Sequence, residues 1–318
     1  VTSLVEKRFA AEEVELNYAE CGPPDAPPLV LLPGQTMPWQ SYTKVLPALA
    51  RHFHVFALDV RGHGRSGWTT GRYRFGAMGH DVVAFLRGVV KRPAILSGNS
   101  SGGVIAVAAA AEAPELVLGL VPEDPPLFSC EHPRILECYV AKVLESAVRN
   151  CGGPGPRDVP GFFSELSVPT QGSQAIMKFP GPAVQLVRFI VWCYRLVRPE
   201  GPIDLPFLPL AIRLFVRGIS EYDPDFSRAC LDGSIHADFS HEAALKRVRC
   251  PVLLLQADWF THPTLGLVGA MNEEDLARVR ACAPQVEVQR VHGAHMLHVD
   301  KPGVFVDALV RFAASIRG

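Results

Sequence analysis

The feature that most constrains this chain is Gly98-Asn99-Ser100-Ser101-Gly102-Gly103, set between an apolar run at residues 94–96 and an alanine-rich stretch at 103–113. The run reads as a short buried strand and the stretch as a helix, so the hexapeptide must turn sharply from one into the other. Such a turn strains its central residue, and side chains two positions to either side must be very small. Gly98 and Gly102 meet that need around Ser100; centring the turn on Ser101 would put Asn99 in one of those positions. Ser100 then opens the helix, whose free N–H groups and positive dipole end favour developing negative charge. The pattern predicts a nucleophile elbow with Ser100 as the attacking group.

The rest of the chain supplies the framework for such a turn. Residues 29–32, 54–58, 94–96 and 117–121 are short apolar runs bounded by Pro, Gly or Asp, and helical spacing appears at 41–51, 79–90 and 103–113. Alternation of this kind predicts a mostly parallel sheet covered by helices on both faces. After Asp124 the rhythm stops. The segment to Cys230 carries about half of the chain's 28 prolines, with amphipathic stretches at 135–148 and 183–197. The rhythm resumes at 251–255 and 286–291 and closes with a helix at 302–316. The expected organisation is a core of residues 1–125 and 236–318, with 126–235 inserted as a mostly helical cap.

A serine hydroxyl needs a base. His295, in Gly293-Ala294-His295-Met296, follows the last predicted strand and is the candidate. His292 and His298 flank it as H-x-x-H-x-x-H, but those positions spread around a helix and no carboxylate or cysteine completes a metal set. The acid has three candidates. Asp124 stands 24 residues after Ser100 at the end of a predicted strand and is preferred. Asp258, in Gln256-Ala257-Asp258-Trp259, is the alternative, and Glu123 comes third. For the oxyanion, the backbone N–H groups of Ser101 and of Gln35 in Pro33-Gly34-Gln35-Thr36 are expected to converge. Trp39, Phe128, Trp192, Trp259 and Met296, with Phe162, are candidate linings of an apolar substrate pocket.

Other readings are weaker. Gly62-His63-Gly64-Arg65-Ser66-Gly67 has the spacing of a dinucleotide fingerprint, but Trp68-Thr69-Thr70 follows where an apolar helix should begin. No cofactor and no bound metal are expected. Lys plus Arg number 31 and Asp plus Glu 32, for a net charge of −1, which gives no handle on nucleic acid. The eight cysteines form no C-x-x-C pair and read as buried free thiols. With no signal-like N-terminal stretch and no span-length apolar run, a cytoplasmic protein without membrane insertion is expected. The expected partner is a small apolar ester or lactone, and a homodimer is left open.

Taken together, Gly34-Gln35, the run Asp59 to Ser66, the elbow and the terminal Gly293-Ala294-His295 resemble the α/β-hydrolase superfamily over essentially the whole chain. Leu32 to Thr36, Gly62 to Ser66, Lys91-Arg92-Pro93, Gly98 to Gly103 and Glu123-Asp124 look more narrowly like bacterial zearalenone lactonases. That resemblance implies an acid after the sixth strand, which is Asp124 here. It also implies a cofactor-independent serine esterase acting on a resorcylic macrolactone such as zearalenone. A thioesterase or C–C bond hydrolase would carry the same triad, and a non-hydrolysing small-molecule receptor could share the fold.

Overall fold

The central strands are continuous apolar runs, and the computed structural model, which describes residues 3–153, 157–169 and 175–316, shows why: both faces of the sheet are covered. In chain order the first half contains β1 (Val5–Ala10), β2 (Glu15–Cys21), β3 (Pro28–Leu32), α1 (Leu46–Leu49), β4 (His54–Leu58) and α2 (Phe75–Phe85). Then come β5 (Ala94–Asn99), α3 (Ser101–Glu112) and β6 (Val117–Glu123). The sheet resumes with β9 and β12, described below, in the order β1-β2-β4-β3-β5-β6-β9-β12. β1, β2 and β4 pair antiparallel, and every pairing from β4 onward is parallel.

Alternate residues of each strand enter different cores, as the two-residue period requires. Val30, Leu32, Leu96 and Leu120 pack with Val82, Phe85, Val104 and Val107 of α2 and α3. Leu29, Leu31, Ile95 and Val121 point the other way. There they meet Phe305, Leu309 and Phe312 of the closing helix, α12 (Pro302–Ser315).

Between β6 and the next sheet strand lie α4 (Tyr139–Cys151), α5 (Val159–Glu165), β7 (Ser167–Pro169) and β8 (Ile176–Lys178). α6 (Gly181–Val197), α7 (Leu210–Ser220), α8 (Pro224–Asp232) and α9 (His241–Arg247) follow. α4 packs on α8, while α9 has already returned to α3. The chain then continues through β9 (Val252–Gln256), β10 (Phe260–His262), β11 (Gly266–Val268), α10 (Glu273–Cys282), β12 (Val286–Arg290) and α11 (Leu297–Asp300). α6 keeps much of its apolar side in solvent: Leu186, Phe189, Trp192 and Leu196 are all exposed.

Several local expectations change. β1 and β2 were not read from the sequence: β1 is the edge strand, and its Lys7 and Arg8 pair with Glu20 and Glu15 of β2, which lies between β1 and β4. The helix expected at 41–51 is a 3₁₀ turn, Trp39–Lys44, followed by the short α1, with Pro47 in its first turn. The helix expected at 79–90 begins earlier and widens into a π turn over Leu86–Val90. All eight cysteines are free, and no described helix is long and apolar enough to cross a membrane.

Candidate active site

Parallel strands end together, and the site grows from three such ends. Leu32 of β3 pairs with Gly98 of β5, and Asn99 of β5 with Glu123 of β6. The residues just beyond these strands are therefore neighbours.

Ser100 occupies the turn from β5 to α3 with φ 52° and ψ −123°, a conformation that L residues rarely adopt. Its N–H donates to Glu123 O at 2.9 Å. The flanking glycines are required by close backbone approach. A Cβ on Gly98 would lie 2.2 Å from Gly102 O, and one on Gly102 would lie 2.3 Å from Leu32 O. Gly34 brings the loop after β3 against the elbow, since a Cβ there would meet Asn99 Oδ1 at 2.7 Å and Ser100 Cβ at 3.1 Å.

His295 precedes α11, and its Nδ1 is 2.6 Å from Asp124 Oδ2. Asp124 is buried at a positive φ of 43°, and its other oxygen accepts from Ala257 N–H at 3.1 Å. Partial desolvation by the surrounding protein disfavours the charged form of the imidazole. The hydrogen bond and charge of Asp124, with Glu123 behind it, together outweigh that and raise the His295 pKa above its usual 6.5. Asn99 Nδ2 donates to His295 O at 3.0 Å, tying the histidine loop to the elbow. The side chain of His295 is 43% exposed, and no hydrogen bond within 3.5 Å joins its Nε2 to Ser100 Oγ among the described residues.

The other two acids bond elsewhere. Asp258 accepts from Gly293 N–H at 3.0 Å and lies 3.0 Å from Nδ1 of the exposed His292. Glu123 is fully buried and holds His298, also fully buried, with both carboxylate oxygens 2.8 Å from Nδ1. His298 N–H donates to Glu123 Oε1 as well, at 3.0 Å, and its ring lies 4.3 Å from that of Tyr42. Consecutive acids at the end of β6 thus take histidines three apart, His295 just before α11 and His298 within it. The opposite facing of neighbouring strand residues was readable; the pairing of Glu123 with His298 was not.

Gln35 sits beside Gly34. Its amide nitrogen donates to Tyr222 Oη at 3.0 Å and to Ser227 Oγ at 2.9 Å, leaving the backbone N–H as the group free to face the elbow. Ser101 is the first residue of α3, so its N–H has no intrahelical acceptor. Tyr222 and Ser227 belong to the inserted segment, which also reaches this loop through α7. A Cβ on Gly218 would lie 1.7 Å from Thr36 O.

The aromatic candidates separate. Trp39 is core: its N–H donates to Asp59 Oδ1 at 2.6 Å and its indole Nε1 to Glu6 Oε1 at 3.1 Å. Phe128 is core too, with the Arg278 guanidinium 3.9 Å above its ring and His241 5.6 Å away. Phe162 is fully buried against Phe163. Trp192 lies on the exposed side of α6, stacked on Phe189 at 6.0 Å. Three of these rings are packed among core side chains and the fourth is exposed on α6; a large ring serves core and pocket equally well, and sequence does not say which. Trp259 is half-buried beside Gly269. Met296, adjacent to His295, packs on a small cluster of Met37, Leu214 and Val299, which joins the Gln35 loop, α7 and the histidine loop.

A family model described as the alpha/beta hydrolase fold matches residues 27–140. The chain is 31% identical over 96 residues to 3-oxoadipate enol-lactonase 2 of Acinetobacter baylyi, covering 30% of this chain and 36% of that one. It is 29% identical over 244 residues to a pimeloyl-[acyl-carrier protein] methyl ester esterase of Klebsiella pneumoniae, covering 68% and 89%. The first curated relatives are matched over only about a third of their length, 34% and 36%. Among solved structures, a thermophilic esterase from Thermogutta terrifontis superposes with a TM-score of 0.67 at 17% identity, over 99% of this chain and 100% of that one. Sheet order, elbow and these neighbours agree: the chain has the α/β-hydrolase fold.

Proposed function

We propose that the protein is a cofactor-independent serine hydrolase that cleaves an apolar carboxylic ester. The observation that carries this reading is a strained Ser100 at the elbow beside a His295 held by buried Asp124. Two of the relatives, an enol-lactonase and a methyl ester esterase, support the same reaction class.

In the proposed reaction Ser100 Oγ attacks the ester carbonyl carbon while His295 Nε2 takes its proton. Asp124 keeps Nδ1 protonated and stabilises the imidazolium. The negative charge on the former carbonyl oxygen is met by the N–H groups of Gln35 and Ser101; one side-chain donor of this kind is worth on the order of 3 kcal/mol elsewhere. Collapse of the tetrahedral intermediate expels the alkoxide, which takes the proton from His295. Water then attacks the acyl-serine by the reverse proton route. Hydrogen-bond contact between Ser100 and His295 forms as substrate closes the site, a tightening common in this chemistry.

The finer reading is a lactone, and zearalenone the leading candidate, on the motifs from Leu32 to Asp124 that resemble zearalenone lactonases. A lactone's alcohol stays tethered to its acyl chain, so one pocket holds both portions of the opened molecule. The inserted segment would serve as the cap over it, and its contacts on the Gln35 loop favour that role. The test is steady-state turnover of zearalenone beside p-nitrophenyl esters, with Ser100→Ala as control. Many turnovers of the lactone, abolished in the variant, are expected. Ester turnover without lactone turnover would leave the mechanism and reject the substrate; ligand binding without turnover of either would replace the enzyme with a receptor.

A further inference from the structure

Away from Ser100, three ligand-type side chains converge where the inserted segment joins the core. Cys130 lies on the loop beyond β6, His236 ends the short 3₁₀ turn Ser234–His236, and His241 opens α9. Cys130 Sγ is 3.8 Å from His236 Nε2 and 3.7 Å from His241 Nε2, and the two nitrogens are 3.0 Å apart. The centre of that triangle is roughly 2 Å from each corner, which is the range of Zn–N and Zn–S bonds.

We propose that Cys130, His236 and His241 form a site for a borderline divalent cation, Zn²⁺ foremost, that pins the two ends of the inserted segment to one another. One thiolate and two imidazoles are a donor set suited to that class of ion, and they leave the fourth tetrahedral position to solvent. Binding releases the thiol proton to solvent and replaces a buried neutral trio by one cation and one thiolate.

The surroundings fit an ion better than a chance cluster. Phe75 lies 5.2 Å from the His236 ring, and Phe239 and Phe128 lie 5.2 and 5.6 Å from that of His241. This largely apolar shell limits competition from water and so strengthens metal–ligand attraction. Neutral imidazoles and a thiolate are the forms in which these side chains bind an ion. Without an ion, Phe128 N–H donates to His241 Nδ1 across a long 3.4 Å, which puts that ring's proton on Nε2, facing His236. Ion binding moves the proton to Nδ1 and replaces both that contact and the 3.0 Å hydrogen bond between the two rings with metal–nitrogen bonds.

The purpose follows from chain distance. Cys130 and His236 are separated by 106 positions, and the segment between them is the insertion. A single ion therefore closes a long loop, the case in which a cross-link constrains the unfolded chain most.

Metal-stripped protein, kept reduced, should be titrated with Zn²⁺ and with Co²⁺. One ion per chain, a thiolate-to-Co²⁺ charge-transfer band, tetrahedral d–d bands and a rise in Tm of about 5 °C at a hundredfold excess over Kd are expected. Cys130→Ser should lose the charge-transfer band and weaken binding at least ~100-fold. His236→Asn, at the half-buried edge, gives a second variant should Cys130→Ser fail to fold, and should weaken binding similarly. Ser100→Ala should bind as the parent does, so failure here is distinct from failure of the hydrolase reading. No binding by the parent, an octahedral Co²⁺ spectrum, or equal binding by both variants would overturn the site.

Discussion

Two carboxylate–histidine pairs stand side by side, and the chain uses the same chemistry differently in each. Asp124–His295 has a buried acid and a ring that is 43% exposed; in Glu123–His298 both partners are 0% exposed. The first can exchange a proton with a ligand. The second has Tyr42 against its ring and no route to one, and its Nε2 makes no hydrogen bond among the described residues. The lesson is that a histidine hydrogen-bonded to an acid is not yet a base. Access decides, and the buried pair instead holds the start of α11, and so the loop that carries His295, against the end of β6.

The comparison can be broken most sharply at Asp124. Asp124→Asn should lower turnover by about 10⁴, as loss of the imidazole's orienting acid does elsewhere, while circular dichroism stays unchanged. If Glu123→Gln lost as much per folded molecule, the division of labour argued here would be wrong. Glu123→Gln should act on stability, costing about 1.5–3 kcal/mol in chemical denaturation for a charged, fully buried hydrogen-bond acceptor, with turnover changed less than tenfold.

The exposed pair should also set the pH response. Because the His295 pKa is raised, kcat/KM should fall as pH drops through a midpoint above 6.5, where the base becomes protonated. The linked stability runs oppositely: the imidazolium–Asp124 pair stabilises the fold below the unfolded value of about 6.5, and that contribution is lost as pH rises through the folded pKa. Asp124→Asn should move the kinetic midpoint down, and a midpoint unmoved in that variant would detach it from His295. The smallest effect belongs to Asp258→Asn. Its carboxylate serves an exposed His292 and one backbone N–H, so turnover should stay within about threefold of the parent.

What was legible in the sequence was local and steric. Gly98 and Gly102 locate Ser100 because no other residue tolerates those approaches, and the positions of three central strands follow from apolar runs at 29–32, 54–58 and 94–96. Asp124 stood out through its distance from Ser100. What was not legible depends on partners remote in sequence. Trp39 and Phe128 are core because Asp59, Glu6, Arg278 and His241 happen to surround them. β1 is a strand because it pairs along β2, with an exposed, charged face and no apolar period to announce it. His298 and the trio of Cys130, His236 and His241 acquire meaning only from groups more than a hundred positions away.

Gly218 has a practical corollary for anyone wishing to change what this protein accepts. Replacing the stretch between β6 and β9 with that of a relative is an obvious route to new substrates. Yet α7 touches the carbonyl of Thr36 where only a hydrogen atom fits, one residue from Gln35. A transplanted helix carrying alanine or anything larger there would arrive correctly folded and still push the Gln35 loop out of line. Chimeras should keep a glycine at this crossing, or import the donor's loop after β3 together with its helix.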